Sequence, residues 1–189
     1  MFKDRISTPK PGNILLSEPF LKDSNFIRTV LLLCEHGNAG SVGFILNKPT
    51  ALQIEDLVEG IAPYNREVYL GGPVAQDTLH FLYFGNQVVK DSTLIDKDVW
   101  WGGDFNELIK KIQDQSLPIN QVFFFLGYSG WEEGQLAQEL KEGAWIVYPD
   151  SLDEAIIHLS AAQIWKTLMR NMGGEFQIQA NYPIDPRLN

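Results

Sequence analysis

A lone cysteine and two histidines offer the sharpest chemistry in this chain. Cys34 and His36 stand two residues apart within Thr29 to His36, a run that reads as a strand, so their side chains are expected on one face. An imidazole beside a thiol draws off its proton and leaves the nucleophilic thiolate. His80 is a further candidate base, and Arg28, just ahead of the strand, could anchor an anionic substrate. Against this enzymatic reading stands the commoner fate of a single cysteine behind an apolar run, which is to be a small core residue. The weight falls on the core reading. His36, His80 and His158 are too far apart for an HExxH-type pair, and one cysteine excludes sites built on cysteine pairs. No metal and no cofactor are expected.

Gly127-Tyr128-Ser129-Gly130-Trp131 lies between a strand pattern and a helix pattern. A nucleophile elbow belongs in that setting, but it needs glycines two residues either side of the serine, and Trp131 holds the second place. Glu132 follows Ser129 by three residues, so the expectation is a capping box for the helix. Glu132 and Glu133 would repel an anion from that helix start. Gln135 and Glu139 share a helical face, as a solvated or interstrand-bonded pair or as a polar pair aimed at a cleft. Gly71-Gly72-Pro73 lacks the rest of a dinucleotide or P-loop fingerprint and reads as a tight turn. If the chain has a recognition surface, it is expected in a groove between Gly71, Gly72 and Pro73 on one side and Tyr128, Trp131 and Gln135 on the other.

These residues need a frame, and the chain supplies it in order. Residues 1–12 read as an extended arm. Asn13 to Ser17 and Thr29 to His36 are strands, the second apolar on both faces and so covered on both sides. The turn residues Gly37 to Gly40 join it to Ser41 to Asn47 as a hairpin with a loop of about four residues. Thr50 and Gln53 suggest a capped short helix ending at Gly60. Strands follow at Glu67 to Leu70 and Thr78 to Phe84, then short β-like pieces from Gln87 to Trp101. Asp104 with Glu107 caps the next helix. Residues 121–148 form a βαβ unit. Asp150 or Ser151 should cap one further helix and Ser160 with Gln163 another, before an irregular tail at about 175–189. Strands dominate the first half and alternation with helices is confined to the second, so the class is α+β in a single domain spanning 1–189.

Composition narrows the function. A formal net charge of −9 argues against a broad nucleic-acid surface, which needs clustered Lys and Arg. No apolar run approaches the ~20 residues that span a bilayer, and residues 1–10 lack a signal-peptide core, so a cytosolic protein without membrane contact is expected.

The motifs together resemble the bacterial AlgH/YqgE family over nearly the full length. They are Gly12 with Leu15-Leu16; Asp23, Phe26 and Arg28; Cys34-Glu35-His36; Gly43 with Asn47-Lys48-Pro49; Gly71-Gly72-Pro73-Val74 with Leu79-His80; Gly102-Gly103-Asp104; and Gly127-Tyr128-Ser129-Gly130-Trp131 with Gln135-Leu136, Glu139-Leu140 and Trp145. The resemblance implies a compact α+β fold with a bifurcated sheet, a small barrel-like part and surrounding helices. It implies a cytosolic protein described as a transcriptional regulator, and it brings no established catalytic residues. The leading expectation is a non-enzymatic binding or regulatory protein with a protein or small-molecule partner. The alternative is a small-molecule enzyme using Cys34 with His36 or His80.

Overall fold

The computed structural model describes residues 8–59, 61 and 64–184. The first seven residues of the expected arm, the glycine expected to end the first helix and the last five residues of the tail lie outside that set. The strands are β1 (Asn13–Ser17), β2 (Val30–Gly37), β3 (Gly40–Ile45), β4 (Pro49–Gln53), β5 (Glu67–Leu70), β6 (Val74–Phe84), β7 (Thr93–Asp96), β8 (Val99–Trp101), β9 (Val122–Trp131) and β10 (Trp145–Ser151). The helices are α1 (Phe105–Gln113), α2 (Gln135–Glu142), α3 (Glu154–Ile157), α4 (Ile164–Asn171) and α5 (Gly174–Gln179).

The strands follow the path β10-β1-β2-β3-β9-β6-β8-β7, while β5 pairs with both β4 and β9. All pairings are antiparallel except β5 with β9. β9 is where the sheet forks: Val122 to Tyr128 pair with β6, Phe124 to Leu126 also pair with β5, and Ser129 to Trp131 pair with β3. The path stays open at β10 and β7. The sheet nevertheless curls, since a Cβ placed on Gly12, just ahead of β1, would lie 2.7 Å from the Cβ of Asp96 on β7. That approach is the barrel-like part of an α+β domain.

Burial explains why these segments pair. Val30 to Cys34 are all buried, as a run apolar on both faces demands. Ile14, Leu16, Leu32 and Cys34 face a core shared with Trp165, Leu168 and Met169 of α4. Leu15, Leu31 and Leu33 face the opposite core, closed by Leu136 and Leu140 of α2. A third core, under α1, joins Leu108 and Ile112 to Phe81, Tyr83 and Phe124. Tyr83 is fully buried, and its hydroxyl accepts from Val89 N at 2.9 Å and pairs with Ser92 Oγ at 2.8 Å, so no polar atom is stranded there.

The βαβ unit is present as β9, α2 and β10. Its two strands run the same way but are separated by β3, β2 and β1, because four successive antiparallel pairings restore the direction. Asp104 caps α1 through a bond from Glu107 N to Oδ1 at 3.0 Å.

Several expectations change. The hairpin of β2 and β3 turns through two residues, Asn38 and Ala39, since Gly37 and Gly40 are already paired. The helix expected after Thr50 is instead β4 followed by a 3₁₀ turn at Ile54–Asp56. Thr50 Oγ1 donates to Val68 O at 2.7 Å across the β4–β5 pair rather than capping a helix. Asp153, not Asp150 or Ser151, caps α3, its Oδ1 accepting from Ile156 N at 2.7 Å. The tail holds a helix, α5. Gly173 and Gly174 both have positive φ, 68° and 54°, and so end α4 and turn the chain at once into α5.

Candidate functional site

The cysteine is paired with neither His36 nor His80. β2 carries a bulge between Leu33 and Glu35: Leu33 lies opposite Gly43, yet Glu35 lies opposite Val42. One extra residue on β2 reverses which face each later side chain takes. Cys34 stays with Leu32 in the α4 core, and the register, with His36 opposite Ser41 and Leu33 opposite Gly43, puts His36 on the face of Leu31 and Leu33. This corrects the expectation of a shared face.

Each group then has its own neighbour. Cys34 is 3% exposed, and burial pushes its thiol far above the ordinary range; Sγ lies 3.8 Å from Leu32 O. His36 Nδ1 is 2.8 Å from Ser41 Oγ across the hairpin. His80 Nε2 is 3.0 Å from Thr78 Oγ1, with its ring 5.2 Å from Phe44 and 5.9 Å from Tyr128. Burial lowers the His80 pKa. Arg28 adopts φ of 48°, stacks 4.6 Å over the Trp165 ring and donates to Tyr182 O. Its guanidinium therefore ties the loop before β2 to Trp165 of α4 and to Tyr182 beyond α5, instead of standing as an anion anchor beside Cys34.

Ser129 is also reassigned. It is wholly buried within β9 and its Oγ donates to Gly71 O at 3.1 Å, so it locks the β5–β6 turn onto β9 instead of capping a helix. Gly134, in the left-handed region, precedes α2. Gly71 and Gly72 lie flat on β9. A Cβ on Gly71 would come 2.4 Å from Gly127 O, and one on Gly72 would come 2.2 Å from Tyr128 C. No groove separates this turn from β9, although Pro73 is exposed.

An open cleft of about 670 Å³ lies beside that contact, between the β2–β3 hairpin and the end of β9. His36, Ser41, Val74, Tyr128, Trp131 and Glu132 are among its walls. Tyr128 and Trp131 thus line it, and Val74 extends it toward Pro73. Gln135 stands behind it: its Oε1 accepts from Glu132 N at 2.9 Å, and its Nε2 donates to Glu139 Oε1 at 2.9 Å. Glu139 Oε2 also accepts from the indoles of Trp131 and Trp145, each at 2.8 Å. The Gln135 and Glu139 pair is the interstrand-bonded one. The sequence signal was two tryptophans flanking the helix, each needing a partner for its indole N–H.

A second cleft, of about 650 Å³, opens where the paired ends of β4 and β5 meet the C-terminal end of α3. Arg66 and Glu67 are charged residues of its lining, and nothing in the sequence singled out Arg66. Among the described residues no group of three or more His, Cys, Asp or Glu is arranged to hold a metal ion. None of the described helices is long and apolar enough to cross a membrane.

The comparisons with known proteins agree with this architecture. Residues 14–177 match the family model described as AlgH-like (DUF179). A UPF0301 protein of Cytophaga hutchinsonii is 46% identical over 94% of this chain and 98% of its own length. One from Chlorobium limicola is 41% identical over 95% of this chain and 96% of its own. The crystal structure of protein DIP2367 from Corynebacterium diphtheriae superposes with a TM-score of 0.79 at 22% identity, covering 96% of this chain and all of that one (100%). The solution structure of the AlgH protein from Pseudomonas aeruginosa gives a TM-score of 0.69 at 26% identity, covering 94% of this chain and 97% of that one. A forked sheet on β9, a match through nearly every element and relatives this similar along their whole length lead to one conclusion: the chain belongs to the AlgH-like family of UPF0301 proteins.

Proposed function

We propose that this protein is a non-enzymatic cytoplasmic binding protein with a regulatory role, which engages a protein or small-molecule partner at the hairpin cleft. The carrying observation is that Cys34 and His36 lie on opposite faces of β2, while His80, on β6, has its imidazole paired with Thr78 Oγ1 rather than with the thiol. A thiol that burial holds protonated is a poor nucleophile at neutral pH. The cleft itself has the make-up of a recognition surface: two aromatic walls, a paired His36 and Ser41, and a Glu132 held in place by Gln135. Gly71 and Gly72 support this surface from behind by fixing β9, and Pro73 and Gln135 border it. With a net charge of −9, regulation through a bound partner fits better than direct contact with DNA.

Iodoacetamide labelling of the folded protein across pH tests the non-enzymatic half. Slow labelling with a midpoint above that of a free thiol, ~8.5, is expected. Rapid labelling at neutral pH would overturn it. For the binding half, a fragment titration followed by amide NMR should move the signals of Tyr128, Trp131 and Ser41 together; saturable shifts confined to other surfaces would refute the assignment.

A further inference from the structure

We infer that the cleft between the paired ends of β4 and β5 and the C-terminal end of α3 is a second binding site, built for a small zwitterion of the amino-acid or short-peptide class, with its carboxylate on Arg66 and its ammonium on Glu67.

Arg66 is a cation with unused donors. Its Nη2 donates to Val122 O at 2.8 Å, its guanidinium lies 5.0 Å over the Phe123 ring, and its Nε is buried with no partner. Burial also lowers its pKa. The buried Nε is out of a ligand's reach, but Nη1 makes no hydrogen bond among the described residues, and the Nη edge of the guanidinium can take a carboxylate. The Phe123 ring also meets the His158 imidazole, 5.4 Å away, so the floor of the cleft is one aromatic ring with two nitrogen-bearing groups against it.

The site is not suited to a simple anion. Glu67 lines the same cleft, and Glu154 lies 3.8 Å from His158. One Glu67 oxygen takes the Tyr69 hydroxyl at 3.2 Å, which leaves the other for a ligand ammonium. A ligand carrying both charges meets both partners, whereas a bare phosphate or carboxylate would compete with Glu67 for Arg66 and bring no cation to meet the Glu67 carboxylate. The amides of Gln53 and Asn65 complete the lining, each able to donate and accept. At about 650 Å³ the cleft falls within the range of small-ligand sites and has room for more than one residue. It stands at the opposite end of β9 from the hairpin cleft, so its failure would leave the proposed function untouched.

The full-length protein, titrated by NMR with triglycine, glycine, N-acetyl-triglycine and triglycinamide, tests this. Triglycine should shift the Arg66 Nε–H signal and the Gln53 and Asn65 side-chain amides saturably. Each blocked form should bind roughly tenfold or more weakly, the worth of one charged hydrogen bond. Glycine binding as well as triglycine would identify free amino acids as the source of the ligand, and weaker glycine binding would identify peptides. Glu67→Gln, at an exposed position, should abolish the preference for triglycine over its N-acetyl form while keeping the preference over triglycinamide. Equal binding of free and blocked forms, a preference that survives Glu67→Gln, or the absence of saturable shifts at these residues would overturn the proposal.

Discussion

The two ends of β9 each carry a polar cluster, and the clusters are satisfied to different degrees. At the C-terminal end, Glu139 receives both indoles and the Gln135 amide, so every donor pointed at it is used. At the N-terminal end, Arg66 spends one donor on Val122 O and leaves its buried Nε unpartnered. A filled cluster stabilises the scaffold and has nothing left to offer a ligand. An unfilled one is less stable in isolation, and the Arg66 Nη1, with no partner among the described residues, is what it can offer a guest. The contrast makes the Glu139 cluster a support for the neighbouring hairpin cleft, and the Arg66 cluster a place of contact in its own right.

The largest test strikes the point between the two ends. Gly72→Ala forces a Cβ to within 2.2 Å of the Tyr128 backbone, which has no flexible end to move aside. The expected loss is on the order of 4 kcal/mol, in the range reserved for severe core disruption, and denaturant unfolding measures it. Glu139→Ala comes next. It strands two partly buried indole N–H groups, and about 3 kcal/mol should be lost, with a changed tryptophan emission spectrum. Arg66→Ala should cost only ~1 kcal/mol, since it gives up a single bond to Val122 O and removes an unpaired donor at the same time. A loss equal to that of Glu139→Ala would erase the distinction between the two ends.

The smallest effect concerns pH. Burial depresses the His80 pKa below 6.5 in the folded chain, so its contribution is complete above the unfolded value and declines as pH falls through 6.5 toward the folded value. The midpoint of unfolding should therefore drop on acidification through that window, and His80→Gln should flatten this part of the profile.

Much of the frame was legible because its signals were local. A run apolar on both faces could only be a covered strand, and β2 is buried from Val30 to Cys34. Asp104 with Glu107 named its own helix start. What failed depended on partners distant in sequence. Leu52, Ile54, Leu57 and Val58 fit a helical stripe, but pairing with β5 claimed Pro49 to Gln53 for a strand. Ser129 had a capping partner three residues away, yet it lies inside β9 and its Oγ donates to Gly71 O instead. The separation of Cys34 from His36 rests on one bulge, which period-two reasoning cannot anticipate. Arg66 went unnoticed because an isolated arginine bears no motif; only folding places Phe123 beneath it.

The fork of the sheet also has a consequence for how the chain is born. β9 supplies the pairing edge for β3, β5 and β6, all of which leave the ribosome before it. Until Val122 to Trp131 emerge, these earlier strands hold open edges with no partner of their own, which is the condition that invites misassembly. Their non-local pairing predicts slow folding and gives the nascent chain a vulnerable interval that ends with the arrival of a single strand.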